Sequence, residues 1–284
     1  MTIDNFKQIQ KAQYLNMKKQ FIILTIIGST LLFSSCVNNK NRDEHHIRVG
    51  VSSGPEYSVA EVAKKIAKEQ YNLEVELVPF NDYVVPNEAL NQGDLDANAF
   101  QHKPYLDEQV RQRGYNLAIV GKTFIYPIAA YSKKIKSIEA LPEGSTIVIP
   151  NDPTNGGRSL LLLEKQQLLK LRDGVGLLPK VTDISENPKK LKILELEAPQ
   201  LPRSLDDKQV SLAIINNTFA SQAGLFLNDA LFTEDRDSPY VNLIVSRADN
   251  KNEEKIKQFV NAYQSSEVEQ TALKEFKGGA VKGW

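Results

Sequence analysis

The chain of 284 residues has one cysteine, Cys36, and three histidines, of which only His102 lies beyond position 46. One cysteine excludes an internal disulfide and leaves no thiol free to serve a fold as a nucleophile. Neither sign of charge is in excess, with 35 Lys and Arg against 35 Asp and Glu. No basic run is interleaved with aromatics, so a general nucleic-acid binder is excluded. There is no G-x-S-x-G elbow and no H-E-x-x-H helix. The glycine turn at Gly156 and Gly157 lacks the GK[ST] ending of a phosphate-binding loop. His102 has no acid–base partner at a telling spacing. His45 and His46 have no third ligand nearby, so neither a metal site nor a cofactor is expected. The longest apolar run, residues 21–33, falls short of the roughly twenty that a spanning helix needs.

That short run nevertheless has a setting. Lys18 and Lys19 precede it, and the small residues Ser34 and Ser35 follow it, directly before Cys36. A charged segment, a short apolar segment and small residues have the form of a secretory signal. Met17 stands immediately before the lysines and is the expected initiator. The position of Cys36 resembles a bacterial lipobox, although Phe33 departs from the usual leucine. Residues 1–36 are therefore expected to be a lipoprotein signal segment, with Cys36 lipidated. Residues 37–46 (VNNKNRDEHH) are polar and aperiodic, as a flexible tether would be.

The remaining chain alternates strand and helix. Residues 47–51 (IRVGV) form a strand, and residues 58–70 carry Val59, Val62, Ala63, Ile66 and Ala67 on one helical face. Residues 73–78 form the next strand. Strand, helix, strand implies a parallel α/β sheet. Ligands of such sheets sit beyond the carboxyl ends of the strands. A second series starts at residues 146–150 (TIVIP), with a helix expected over 159–171 and capped by Thr154 or Asn155. Further strands are expected at 191–196, 210–215 and 240–247, and two terminal helices at 253–264 and 267–276. Pro127 within the apolar stretch 124–132 marks a crossing between lobes, since proline demotes a strand. Residues 240–247 make the second crossing. The expected architecture is an α/β, two-lobed fold: residues 47–127 with 241–284 in lobe 1, and 128–240 in lobe 2. Two crossings between two lobes suit closure about a hinge.

The candidate site residues come from both halves. Residues 80–106 mix turn-forming Asn, Asp, Gly and Pro with Tyr83, Phe100, His102 and Tyr105. Apolar walls bearing a few fixed polar groups are what a small-molecule pocket requires. After the 146–150 strand, Asn155 and Arg158 fall at the expected start of a helix, an anion site in any fold. A guanidinium there suits a carboxylate, which it pairs bidentately. Asn216, at the end of another strand, can both donate and accept.

Five blocks, FNDYVVPNEAL, DANAFQHKPYLD, PNDPTNGGRSLLLL, ELEAPQLPRSLDD and the terminal GGAVKGW, resemble those of the methionine-binding lipoproteins of NlpA type that serve ABC importers. The resemblance runs from Ile47 to Trp284. It implies a type II-like periplasmic-binding-protein fold that holds L-methionine between its lobes and delivers it to a permease driven by an ATPase. It implies a non-enzymatic, monomeric receptor, lipid-anchored to the membrane outside the cytoplasm and on the periplasmic side of a Gram-negative cell. By the same resemblance Tyr83, Phe100 and Tyr105 enclose the thioether. His102 contacts the ligand or orients a neighbour, Arg158 pairs with the carboxylate, and Asn155 and Asn216 meet the amino-acid head group. Phe219 stands where the family commonly has Tyr. The partner of the ammonium stays open among Asp82, Asp152 and Glu197. A methionine-containing dipeptide, D-methionine or another apolar amino acid suits the same chemistry. An exported enzyme using His102 and a surface scaffold with an idle cleft are the readings from other classes.

Overall fold

The computed structural model describes residues 44–284; Cys36, Met17 and residues 37–43 of the expected tether lie outside that range. β1 (His46–Ser52) begins at His46, one residue into the segment expected to be tether. It leads through Gly54, whose φ of 80° a side chain would resist, into α1 (Pro55–Tyr71). The helix starts three residues before the periodicity begins, because Pro55 at its first position needs no hydrogen-bond acceptor and has φ preset. Val59, Ala60, Ala63, Ile66 and Ala67 form its buried stripe.

β2 (Glu74–Phe80) pairs with β1 in parallel, Ile47 facing Val75. α2 (Val85–Gln92) and β3 (Ala97–His102) follow; all six β3 residues are buried. β3 also runs parallel to β1, continuing the expected βαβ pattern. Its extended backbone carries Phe100 and His102. α3 (Lys103–Arg113) and β4 (Leu117–Ile125) complete this stretch.

The chain then passes to a second sheet. β5 (Ala129–Tyr131) and β6 (Thr146–Pro150) precede α4 (Pro153–Lys165). A small hairpin of β7 (Lys170–Leu171) and β8 (Ile184–Glu186) leads to β9 (Lys192–Leu196). α5 (Leu201–Ser204), β10 (Val210–Ile215), α6 (Asn217–Gln222) and β11 (Phe232–Thr233) follow. β12 (Val241–Arg247) returns to the first sheet between β3 and β4, antiparallel to both. α7 (Glu254–Tyr263), α8 (Ser266–Glu275) and β13 (Val281–Lys282) end the chain. The first sheet has the order β13-β4-β12-β3-β1-β2 and the second β11-β5-β10-β6-β9. Each has its own buried core, centred on residues such as Val49, Phe259 and Tyr263 in one case and Ile147, Leu160 and Ile214 in the other. Among the described residues no helix is long and apolar enough to cross a membrane.

α4 departs from expectation in register. It starts at Pro153 and ends at Lys165, six residues ahead of the expected helix at both ends. Its cap is Asp152, which accepts from the Asn155 backbone N–H at 2.9 Å, and not Thr154 or Asn155. Gly156 and Gly157 read as a turn but lie inside the helix. They are there for space: a Cβ on Gly156 would sit 2.8 Å from the Pro150 carbonyl oxygen, and one on Gly157 2.9 Å from that of Leu177. Alanine normally stabilises an exposed helix interior by about 1 kcal/mol relative to glycine. Here backbone is the obstacle, so Gly156→Ala is expected instead to lower the unfolding free energy by about 1–3 kcal/mol. Urea denaturation reads the sign directly.

Candidate functional site

The strand ends of the two sheets face one small cavity. All seven expected ligand-binding residues line it: Tyr83, Phe100, His102 and Tyr105 from the first-sheet side, Asn155, Arg158 and Asn216 from the second. Tyr83 occupies the loop after β2, Phe100 and His102 the end of β3, and Tyr105 the first turn of α3.

The aromatic wall is a cluster around Tyr83. Its ring stands 5.9 Å from Phe100, 6.0 Å from Tyr105 and 4.9 Å from Phe219, which belongs to α6 on the opposite side. Tyr105 donates its hydroxyl to the Tyr83 carbonyl at 2.8 Å, holding the loop that presents this ring. Phe219 has no hydroxyl to offer and contributes its buried ring alone.

The polar wall is a connected chain. The His102 Nδ1 accepts from the Tyr105 backbone N–H at 3.2 Å, so the imidazole caps α3. An accepting Nδ1 leaves the ring proton on Nε2, which donates to Asn155 Oδ1 at 3.2 Å. The same oxygen accepts from Asn216 Nδ2 at 2.8 Å. Asn155 Nδ2 in turn donates to both oxygens of Asp152, at 3.1 and 3.0 Å. Asn216 is the N-cap residue of α6, yet its side chain makes no capping bond. Its Oδ1 is buried with no partner, as is the hydroxyl of Tyr126, which also lines the cavity. An unpaired buried carbonyl is costly unless something fills its place.

Arg158 is 4% exposed and sits in the second turn of α4, not at its start. The helix terminus expected to attract an anion is occupied by Asp152 from the chain itself. Nε of Arg158 donates to Glu234 at 2.9 Å, Nη2 donates to the second Glu234 oxygen, and Nη2 also reaches the Tyr126 carbonyl at 3.1 Å. Tyr240 lies under the guanidinium, 4.3 Å from its carbon to the ring centre. One edge of the fork expected to clasp a ligand carboxylate is thus taken by a carboxylate of the protein. Glu234, Tyr240 and Tyr126 carry no motif that singles them out. Asn217 and Thr218 also line the cavity and stood beside Asn216 in the sequence as polar residues at a strand end. Asp152 caps α4, Asp82 accepts from the backbone N–H groups of Val84 and Val85, and Glu197 is exposed; none of the three belongs to the cavity lining. Among the described residues no group of three potential ligands could hold a metal ion.

Burial, and then the neighbouring charge of Arg158, push the His102 imidazole from an ordinary 6.5 down to about 3. His102 is therefore neutral in the folded protein when it would already be charged in the unfolded chain. The unfolded state binds the extra proton, so stability is lost as pH falls from about 6.5 towards 3. The loss from this group is at most about 1.4 kcal/mol per pH unit. His102→Gln is expected to lose less stability than the parent between pH 7 and pH 4.5, as followed by urea unfolding at both values.

The NlpA lipoprotein family model matches residues 47–284. The D-methionine-binding lipoprotein MetQ of Salmonella typhimurium is 63% identical over 267 residues, covering 94% of this chain and 98% of the relative. Among solved structures, that of the methionine binding protein MetQ superposes with a TM-score of 0.84 at 67% identity, covering 85% of this chain and 99% of the other. A nutrient binding protein from Burkholderia cenocepacia, solved bound to methionine, superposes at 0.82 with 50% identity, covering 84% and 100%.

Proposed function

This chain belongs to the NlpA lipoprotein family, and we propose from that premise that it is the substrate-binding lipoprotein of an ABC importer, capturing methionine without transforming it. The observation that carries this reading is one small cavity joining a buried guanidinium to an aromatic wall across two sheets. A zwitterion with an apolar tail has the complementary form. The thioether lies against Tyr83, Phe100 and Tyr105, where sulfur gains from aromatic contact. Its burial contributes about 2–3 kcal/mol. The carboxylate pairs with Arg158, and the ammonium donates to the free Oδ1 of Asn216. His102 and Asn155 hold that amide in orientation.

The lobes are residues 47–127 with 241–284, and 128–240, and they close about the two passages between the sheets. Lipid on Cys36 anchors the protein to the envelope, facing the periplasm in a Gram-negative cell. The receptor acts as a monomer and hands its ligand to a permease with a cytoplasmic ATPase. The names of relatives favour one further reading, that the D enantiomer also binds. Inverting the α-carbon exchanges the ammonium with hydrogen while the carboxylate and side chain keep their partners. Selectivity between enantiomers then rests on the reach of Asn216.

Titration calorimetry on protein stripped of ligand by unfolding and refolding tests this. L-Methionine is expected to give saturable one-to-one binding, with leucine and glutamine much weaker. Arg158→Ala is expected to abolish it, since truncating one member of a buried charge pair costs about 2–5 kcal/mol or more. Near-parental affinity in that variant would remove Arg158 from the site. Saturable binding of a methionine-containing dipeptide, but not of methionine, would keep the receptor reading and change its ligand.

A further inference from the structure

Beside the cavity, the first turn of α1 meets α6, and the two helices belong to different sheets. Gln222 donates to the Ser53 carbonyl at 2.7 Å, and Asn217 donates to that of Gly279 at 2.9 Å. A Cβ on Gly54 would lie 2.6 Å from the Gln222 side chain, so the approach is close. Within this seam the Thr218 hydroxyl donates to the carboxyl of Glu56, which is 2% exposed. Thr218 itself lines the cavity. The groups facing Glu56 are the hydroxyls of Ser52 from β1 and Thr218 from α6, and the phenols of Tyr83 after β2, Tyr126 after β4 and Tyr263 in α7. Among the described residues no cation is bonded to it. A carboxylate buried without a cation is strongly disfavoured.

We propose that Glu56 links ligand capture to a proton: the lobes close over the ligand with this carboxyl protonated, and it ionises when they part and water reaches it. The proton comes from solvent on closing and returns to it on opening. Burial pushes Glu56 from an ordinary 4.5 up to about 7, in the direction that this linkage needs. The closed form then holds one more proton than the open form between those values. Through Glu56 alone, affinity falls by about tenfold per pH unit as pH rises from about 4.5 to 7, and levels off above. His102 is neutral in the closed form over that range, and a proton it gains when the lobes part is released on closing. The Glu56 contribution is therefore the difference between the parent protein and a variant without that carboxyl.

The inference rests on methionine capture by closure, and one experiment separates the two. Calorimetry of L-methionine binding in buffers of different ionisation enthalpy counts the protons exchanged. At pH 6 the stripped protein is expected to take up close to one proton per ligand more than Glu56→Gln, which keeps an acceptor for Thr218, and at pH 8 almost none more. The affinity ratio of parent to variant should fall as pH rises from 6 to 7 and then level off. Equal proton exchange in the parent protein and Glu56→Gln at pH 6 overturns the proton linkage while leaving the receptor intact. Absence of any methionine binding overturns both.

Discussion

A buried guanidinium is the constraint around which this molecule is arranged. The desolvation of the Arg158 charge must be offset in place. The fold supplies Glu234 from the segment after β11, a carbonyl from Tyr126 and the ring face of Tyr240. These partners come from the two stretches in which the chain passes between its sheets. The charge and the passages are therefore one feature. A lobe that moved would move with respect to the groups that neutralise Arg158.

Around that charge the site is built in two halves that meet only in three dimensions. The aromatic half is held by Tyr105, whose hydroxyl fixes the Tyr83 loop and whose backbone N–H fixes the tautomer of His102. The polar half passes from His102 through Asn155 to Asn216, across the boundary between sheets, and ends on an acceptor with nothing bonded to it. A chain of satisfied bonds that terminates in one free oxygen is a site organised for a donor. The seam of Glu56, Thr218 and Gln222 flanks the same cavity, so the groups that join the lobes and the groups that line the pocket share a helix, α6.

Much of this was legible in the chain. The period of Val59, Ala63, Ile66 and Ala67 marks α1, and apolar runs bounded by polar turns mark β1, β6 and β10. The candidate residues Tyr83 to Asn216 stand at strand ends, where α/β sheets hold ligands, and the cavity gathers all seven. Local chemistry decides those features, and local chemistry can be read in one dimension. It misled at α4, where two glycines signal a turn on propensity grounds. The helix runs through them because β6 and the 177–179 segment approach too closely for a side chain.

What the sequence by itself determined is the set of elements and the kinds of group at their ends, because periodicity and turn preference act over a few neighbouring residues. Tertiary structure alone decided the pairings. Glu234 lies 76 positions from Arg158 and Glu56 lies 162 from Thr218. No spacing rule connects residues so far apart. Burial, which set His102 and Glu56 on opposite sides of their ordinary titration, exists only once both sheets have closed over them.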